Sequence, residues 1–184
     1  MLRRLCITGL LMMSCCGVLA AAGLPSVWLD VPFVKQETDG CGAASIAMVM
    51  QYWQLRQGQH SNSNAEYGPI QHSLYSRAAH GIYASAMERY LQQNGFAAYP
   101  FSGDMNVLTH HLEMGRPLIV ALNPGSRLPL HYVVVAGLDQ DNRLVLVNDP
   151  AQRKLLKEDY ATFEQQWNAA GHWTLLAVPA PGSH

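Results

Sequence analysis

Gln36-Glu37-Thr38-Asp39-Gly40-Cys41-Gly42-Ala43-Ala44-Ser45 is a polar loop that gives way to an apolar helical pattern at its cysteine. From Cys41 to about Trp53 the chain is rich in Ala, Met, Ile and Val, with few polar residues. That is the composition of a helix buried on most sides, and it predicts the central helix of the fold with Cys41 at its start. A free thiol has a pKa of ~8.5 and is mostly protonated at neutral pH, but a helix N-terminus and a nearby imidazolium can lower it by several units. Gly40 and Gly42 on either side let the backbone turn sharply and leave the sulfur open to attack a carbonyl.

Two apolar runs downstream end in the residues such a thiol needs. His131 opens His131-Tyr132-Val133-Val134-Val135-Ala136-Gly137, and Asp149 closes Leu144-Val145-Leu146-Val147-Asn148-Asp149-Pro150. Asp139-Gln140-Asp141-Asn142 joins the two runs, which predicts a hairpin. His131 at the head of one strand and Asp149 at the tail of the other then lie side by side across the ladder, where Asp149 holds the imidazole tautomer. Taken singly, His131 reads as a satisfied core histidine and Asp149 as a turn former before proline. Together with Cys41 they read as one site.

A tetrahedral oxyanion needs at least two donors, and losing one typically costs ~2.7 to 4 kcal/mol of transition-state stabilisation. The backbone N–H of Cys41 supplies one. The side-chain amide of Gln36, five residues upstream on the approach loop, is placed to supply the second.

At 184 residues, 49% of them hydrophobic, the chain fits one domain with a real core once a leader is set aside. Twelve basic against thirteen acidic side chains give a net charge of -1, so there is no basic footprint for nucleic acid. Residues 1–22 read as an export signal: Arg3 and Arg4 form a positive n-region, Leu5 to Leu19 an apolar h-region, and Ala20-Ala21-Ala22 a small-residue cleavage site. Two other readings share this segment. It approaches the ~18 apolar residues that begin to span a bilayer, and Leu11-Met12-Met13-Ser14-Cys15 resembles a lipobox, with lipid on Cys15 or Cys16. Cys6, Cys15 and Cys16 all lie here, so the mature chain keeps a single thiol and no internal disulfide. In an exported protein an unpaired thiol invites oxidation, and its retention points to a use unless it is simply buried.

The expected domain spans 27–179. Val27 to Phe33 alternates and carries Pro32, which predicts an edge strand leading to the Gln36 loop. Gln57 to Gly68 reads as an exposed polar loop. Helical patterns follow at Ile70 to Ala79, Ala84 to Asn94, Met105 to Met114 and Tyr160 to Trp167. Strands are predicted at Phe96 to Phe101, Pro117 to Leu122, His131 to Leu138, Arg143 to Asn148 and Trp173 to Val178. The class is therefore α+β, with helices first and an antiparallel meander after them. Phe163 and Trp167 form a core stripe four residues apart, and Trp28, Trp53 and Trp173 have the same core reading. His110 and His111 face different ways on a helix and have no second ligand pair, so a surface role is expected and no metal or other cofactor. His80 and His172 have no carboxylate at a spacing that marks them, which leaves His131 as the base.

These motifs resemble the cysteine peptidases of family thirty-nine, papain-like enzymes whose best-known members cut double-glycine leaders from bacteriocin precursors. The resemblance runs from about Val31 to Trp167. It rests on Val31-Pro32-Phe33 with Gln36, on Cys41-Gly42-Ala43-Ala44-Ser45, on Gly115-Arg116-Pro117 before a strand, on His131-Tyr132-Val133-Val134 and on Asn148-Asp149-Pro150. It implies a papain-like fold, with Cys41 as nucleophile, His131 as general base and acid, Asp149 as orienting carboxylate and Gln36 as oxyanion donor. With an export signal and no transporter segment or nucleotide-binding motif, the chain looks like the stand-alone, exported branch.

The function expected is a periplasmic or envelope cysteine peptidase acting on a peptide or protein through a thioester. It meets no nucleic acid, and touches membrane only through its N-terminal segment or a lipid. The oligomeric state is left open. The same four residues also serve an amidase or acyltransferase on cell-wall or other non-protein amides. A binding or assembly module that keeps the fold without activity is the remaining alternative, against which all four positions are filled.

Overall fold

A computed structural model describes residues 26–59, 62–125 and 129–182. The export signal, lipobox and anchor readings of residues 1–22 lie outside the described residues. Among those described, no helix is long and apolar enough to cross a membrane.

The elements in chain order are β1 (Val27–Trp28), α1 (Cys41–Arg56), α2 (Tyr67–Leu74), α3 (Ala84–Gln93), β2 (Phe96–Ser102), α4 (Met105–Glu113), β3 (Leu118–Leu122), β4 (His131–Asp139), β5 (Leu144–Asn148), β6 (Leu156–Asp159), α5 (Tyr160–Asn168) and β7 (Trp173–Pro179). Seven strands form one antiparallel sheet in the order β2-β7-β3-β4-β5-β6, with β1 pairing β4 beyond the end of β3. The α+β expectation holds. The meander is confined to β3 through β6, because β7 returns to lie between β2 and β3.

The sheet is sandwiched between helices, and the period-two alternation of its strands decides which residue meets which layer. Ile119, Ala121, Tyr132, Val134 and Ala136 pack with α1, α2 and α3, around Ile46, Met50, Ile70 and Met87. Leu118, Val120, Leu122, Val133 and Val135 pack with α4 and α5, around Leu108, Leu112, Phe163 and Trp167. Because β4 is covered on both faces, its sequence is a continuous apolar run rather than an alternation. Phe163 and Trp167 are both fully buried, as their helical spacing predicts.

Several boundaries and placements differ from expectation. The edge strand predicted over 27–33 is only Val27–Trp28, where Gly137 admits it: a Cβ there would lie 2.6 Å from the Val27 carbonyl oxygen. Trp28 is 58% exposed, not a core residue, because β1 sits at the sheet rim. The helix expected over 70–79 is α2, which starts at Tyr67 and stops at Leu74, and the loop before it contains a 3-10 turn at Ser63–Ala65. β6 has no counterpart among the predicted strands. It pairs with β5 at the open edge of the sheet, where Lys157 and Asp159 are exposed.

The sheet also brings the two downstream residues together. β4 and β5 pair from Asp139↔Leu144 to Val134↔Asn148, with a bulge between Val135 and Gly137. This register places the residue after β5 near the first residue of β4.

Candidate active site

Three elements converge at one end of the molecule: the N-terminus of α1, the start of β4 and the turn after β5. Cys41 is the first residue of α1, partly exposed, and unpaired. Its N-cap is Gly40, which has no side chain to cap the helix, and no acidic residue stands in the first turn. The amides there keep the partial positive charge of an open helix end.

The glycines on either side serve space rather than backbone freedom, since neither adopts a positive φ; the left-handed residue of this turn is Asp39, with φ 55°. A Cβ on Gly40 would run into the Tyr67 hydroxyl and lie 2.9 Å from its ring. One on Gly42 would lie 3.1 Å from Ile82 Cβ and 3.6 Å from Tyr132. The start of the helix is thereby packed against α2 on one side and β4 on the other.

His131 Nε2 and Asp149 Oδ1 are 2.7 Å apart. With Nε2 so engaged, Nδ1 is the nitrogen left for the thiol of Cys41, which lies near enough to raise the pKa of His131. Burial pulls the imidazole toward its neutral form. The hydrogen bond to Asp149 and the negative charges of Asp149 and Cys41 outweigh burial, and push its pKa up to about 9. Asp149 is 3% exposed. Burial alone would raise its carboxyl, but the hydrogen bond and charge of His131, with further hydrogen bonds, hold it below the ordinary value. Those further donors are the N–H of Ala151 to Oδ1 at 2.9 Å and Gln152 Nε2 to Oδ2 at 2.6 Å. Tyr132 is pushed up to about 12 by burial and by the nearby Cys41 charge.

Gln36 belongs to the loop that delivers the chain to Cys41. Its N–H donates to the carbonyl of Pro150 at 3.0 Å, which ties the loop to the turn holding Asp149. From the other side the Tyr67 hydroxyl accepts from the N–H of Glu37 at 3.0 Å. The Gln36 side-chain oxygen is buried without a hydrogen-bond partner.

The structure thus brings Cys41, His131 and Asp149 together and sets the Gln36 loop against Asp149. Asn148, Tyr67 and Gln152 support them, and sequence reasoning does not single them out. Asn148 enters only as part of the Asn148-Asp149-Pro150 motif, and a glutamine three residues past the carboxylate is the signal that could have pointed to Gln152. Two other histidines have carboxylate partners that sequence spacing misses. His172 Nε2 lies 2.8 Å from Glu164 Oε1, and His80 Nδ1 lies 3.9 Å from Asp39. His80 and His172 both have left-handed backbones, with φ 47° and 55°, outside any element whose regular spacing would mark a partner. His110 is exposed, in keeping with a surface role. His111 is half-buried, and burial followed by the charges of Arg116 and His110 lowers its pKa.

Two cavities border these residues. One, about 440 Å³, borders Cys41, Ile82, Tyr83, Leu130 and Tyr132. The other, about 340 Å³, borders His131, Asp149, Gln152, Glu158 and Gln166. Glu158 is raised by burial and then by the Asp149 charge, and its Oε2 is buried without a partner.

Comparison with known proteins bears on family and fold. Residues 28–174 match the model of the Peptidase_C39 like family. Among solved structures, the chain is similar to a double glycine motif protease from an AMS/PCAT transporter in complex with the leader peptide, at TM-score 0.65 and 21% identity, covering 84% of this chain and 95% of that one. The peptidase domain of Streptococcus ComA, a bi-functional ABC transporter, aligns at TM-score 0.62 and 21% identity over 81% of this chain and 98% of that one. Xylellain, a cysteine protease from Xylella fastidiosa, aligns at TM-score 0.60 and 13% identity over 87% and 88%. These likenesses are of fold. No curated protein matches the sequence.

Proposed function

The chain belongs to the Peptidase_C39 like family, and from that membership we propose that it is an active cysteine peptidase using Cys41, His131 and Asp149. The observation that carries this reading is the imidazole of His131, held by Asp149 on one nitrogen at 2.7 Å and set beside Cys41 at the mouth of α1.

The reaction proceeds in two halves. Cys41 Sγ, as thiolate, forms a C–S bond to the substrate carbonyl while the carbonyl electrons move to oxygen. The N–H of Cys41 and the side-chain amide of Gln36 hold that oxyanion. When it collapses, the C–N bond breaks and the His131 imidazolium gives its proton to the leaving amine. The thioester is then attacked by water, whose proton His131 takes. The second oxyanion collapses, the C–S bond breaks, and the acid leaves with Cys41 restored. Asp149 keeps Nδ1 directed at sulfur and stabilises the imidazolium, as a buried carboxylate does in such triads. Residues 1–22 fit this role as an export signal or lipid-anchor segment that places the enzyme in the periplasm or cell envelope.

Labelling of the purified chain with iodoacetamide tests the pair. In native protein Cys41 should be alkylated at acid to neutral pH, and His131→Ala should slow this ~10-fold or more by removing the cation beside it. A Cys41 that reacts only after denaturation would make it a buried structural thiol and remove the peptidase reading.

A further inference from the structure

We propose that the cavity beside Cys41 is an acyl-side specificity pocket for one large apolar side chain, so the peptide cut here is not selected for paired glycines. The inference rests on the peptidase reading and deepens it.

The orientation of substrate follows from the division of labour around His131. The leaving amine must receive its proton from that imidazole, so the chain after the scissile bond leaves across His131, toward the cavity that contains His131 and Asp149. The acyl half then runs the other way, into the cavity that contains Cys41 but not His131.

The walls of that cavity decide what it accepts. Ile82, Tyr83, Leu130 and Tyr132 supply apolar surface, and the small side chains of Ala79 and Ala84 leave the room between them. Among the described residues, no carboxylate, lysine or arginine lines it. Its one histidine, His80, has a side chain 77% exposed, facing Asp39 at 3.9 Å. A charged substrate side chain would meet mainly apolar wall among the described residues.

Tyr83 is 53% exposed and Leu130 46%, so apolar surface stands uncovered at the rim. The inner wall is preformed. Ile82 is packed against Gly42, and Tyr132 meets Trp173 edge-on with ring centroids 5.4 Å apart. A glycine would leave about 440 Å³ of this space to water, whereas a leucine side chain covers the apolar wall. That burial is worth a preference of about 10- to 100-fold in reaction rate.

Three peptidyl acyloxymethyl ketones test this on the full chain, with Gly-Gly, Leu-Gly or Gly-Leu as the two residues before the ketone. Each alkylates a reactive thiol with loss of a carboxylate, and modification of Cys41 is followed by mass. The expected result is that one leucine probe reacts at least ~10-fold faster than the Gly-Gly probe, and that Ala79→Trp, which fills the cavity, collapses that ratio. Leu130→Asp, at an exposed rim position, should also shrink the ratio by placing a charge against the leucine, and serves if the tryptophan variant does not fold. A Gly-Gly probe that reacts as fast as both leucine probes overturns the pocket and leaves the peptidase standing. So does a leucine preference that survives both variants. Failure of all three probes on folded protein overturns the peptidase reading, and the pocket with it.

Discussion

Asn148, wholly buried one residue before Asp149, donates through Nδ2 to the carbonyl of Val31 at 3.2 Å. A weaker contact reaches Pro32 O at 3.4 Å, and the Asn148 Oδ1 accepts from the N–H of Leu155 at 2.9 Å. One side chain therefore fastens together the segment that leads to Gln36, the end of β5 just before Asp149 and the turn into β6.

Asn148→Ala leaves the Val31 carbonyl and the Leu155 N–H without these partners, each worth ~1–3 kcal/mol when buried. Urea unfolding should show a loss of about 2–4 kcal/mol. Asn148→Asp should cost more, since it turns a carboxylate oxygen toward two carbonyls. A neutral effect of both would show that the three segments are held without this amide.

The His131–Asp149 pair gives stability a definite pH dependence. An unfolded histidine titrates near ~6.5, and the folded one at about 9. Its contribution is therefore complete below ~6.5 and is lost as the pH rises through about 9. Asp149, held below its ordinary value, contributes above ~3.9 and loses that contribution as the pH falls through its folded pKa. Asp149→Asn should remove the main support of the raised histidine. Stability measured from pH ~6 to ~10 should then fall less steeply than in the parent, and peptide cleavage should drop by ~10²-fold or more. An unchanged alkaline profile would mean that Asp149 does not hold the proton on His131.

Tyr67 fills the place where a side chain on Gly40 would stand. Gly40→Ala must push the tyrosine or the start of α1 aside, at a cost of about 1–3 kcal/mol. In a double-mutant cycle, Tyr67→Ala should relieve part of it, with a coupling of ~1 kcal/mol or more by thermal or urea unfolding. Additive effects would show that the two positions do not press on each other.

Gln152 is exposed, yet its amide is the partner of Asp149 Oδ2 at 2.6 Å. Gln152→Ala should leave the fold within about 1 kcal/mol of the parent, because the residue has little buried surface. Cleavage should fall by ~3- to 10-fold through a looser carboxylate, and Gln152→Glu by more, since it sets two carboxylates together. The acid limb of the rate profile should move to higher pH in the alanine variant. A profile that stays in place assigns the contact no part in holding Asp149.

Residues that begin or end a well-patterned element are legible in the amino-acid order itself. Cys41 stands where a polar loop becomes an apolar helix, and His131 and Asp149 bound apolar runs joined by a polar turn, so the hairpin register brings the last two together. What stays hidden belongs to pairings between distant segments. The polar edge strand Leu156–Asp159 carries no apolar alternation, because only part of its surface is covered. The insertion of β7 between β2 and β3 joins segments with no local mark of their adjacency. Trp28 shows the converse error, a large aromatic assigned to the core that lies instead on a rim strand of two residues.

Cys41 and His131 lie on different layers: Cys41 on a helix, His131 and Asp149 at one end of the sheet beneath it. A nascent or partly unfolded chain has the thiol but not its imidazole, and is chemically an ordinary cysteine. Reactivity on this reading is conferred by the final docking of helix on sheet. If Cys41 acts as proposed, latency is thereby written into the order of assembly.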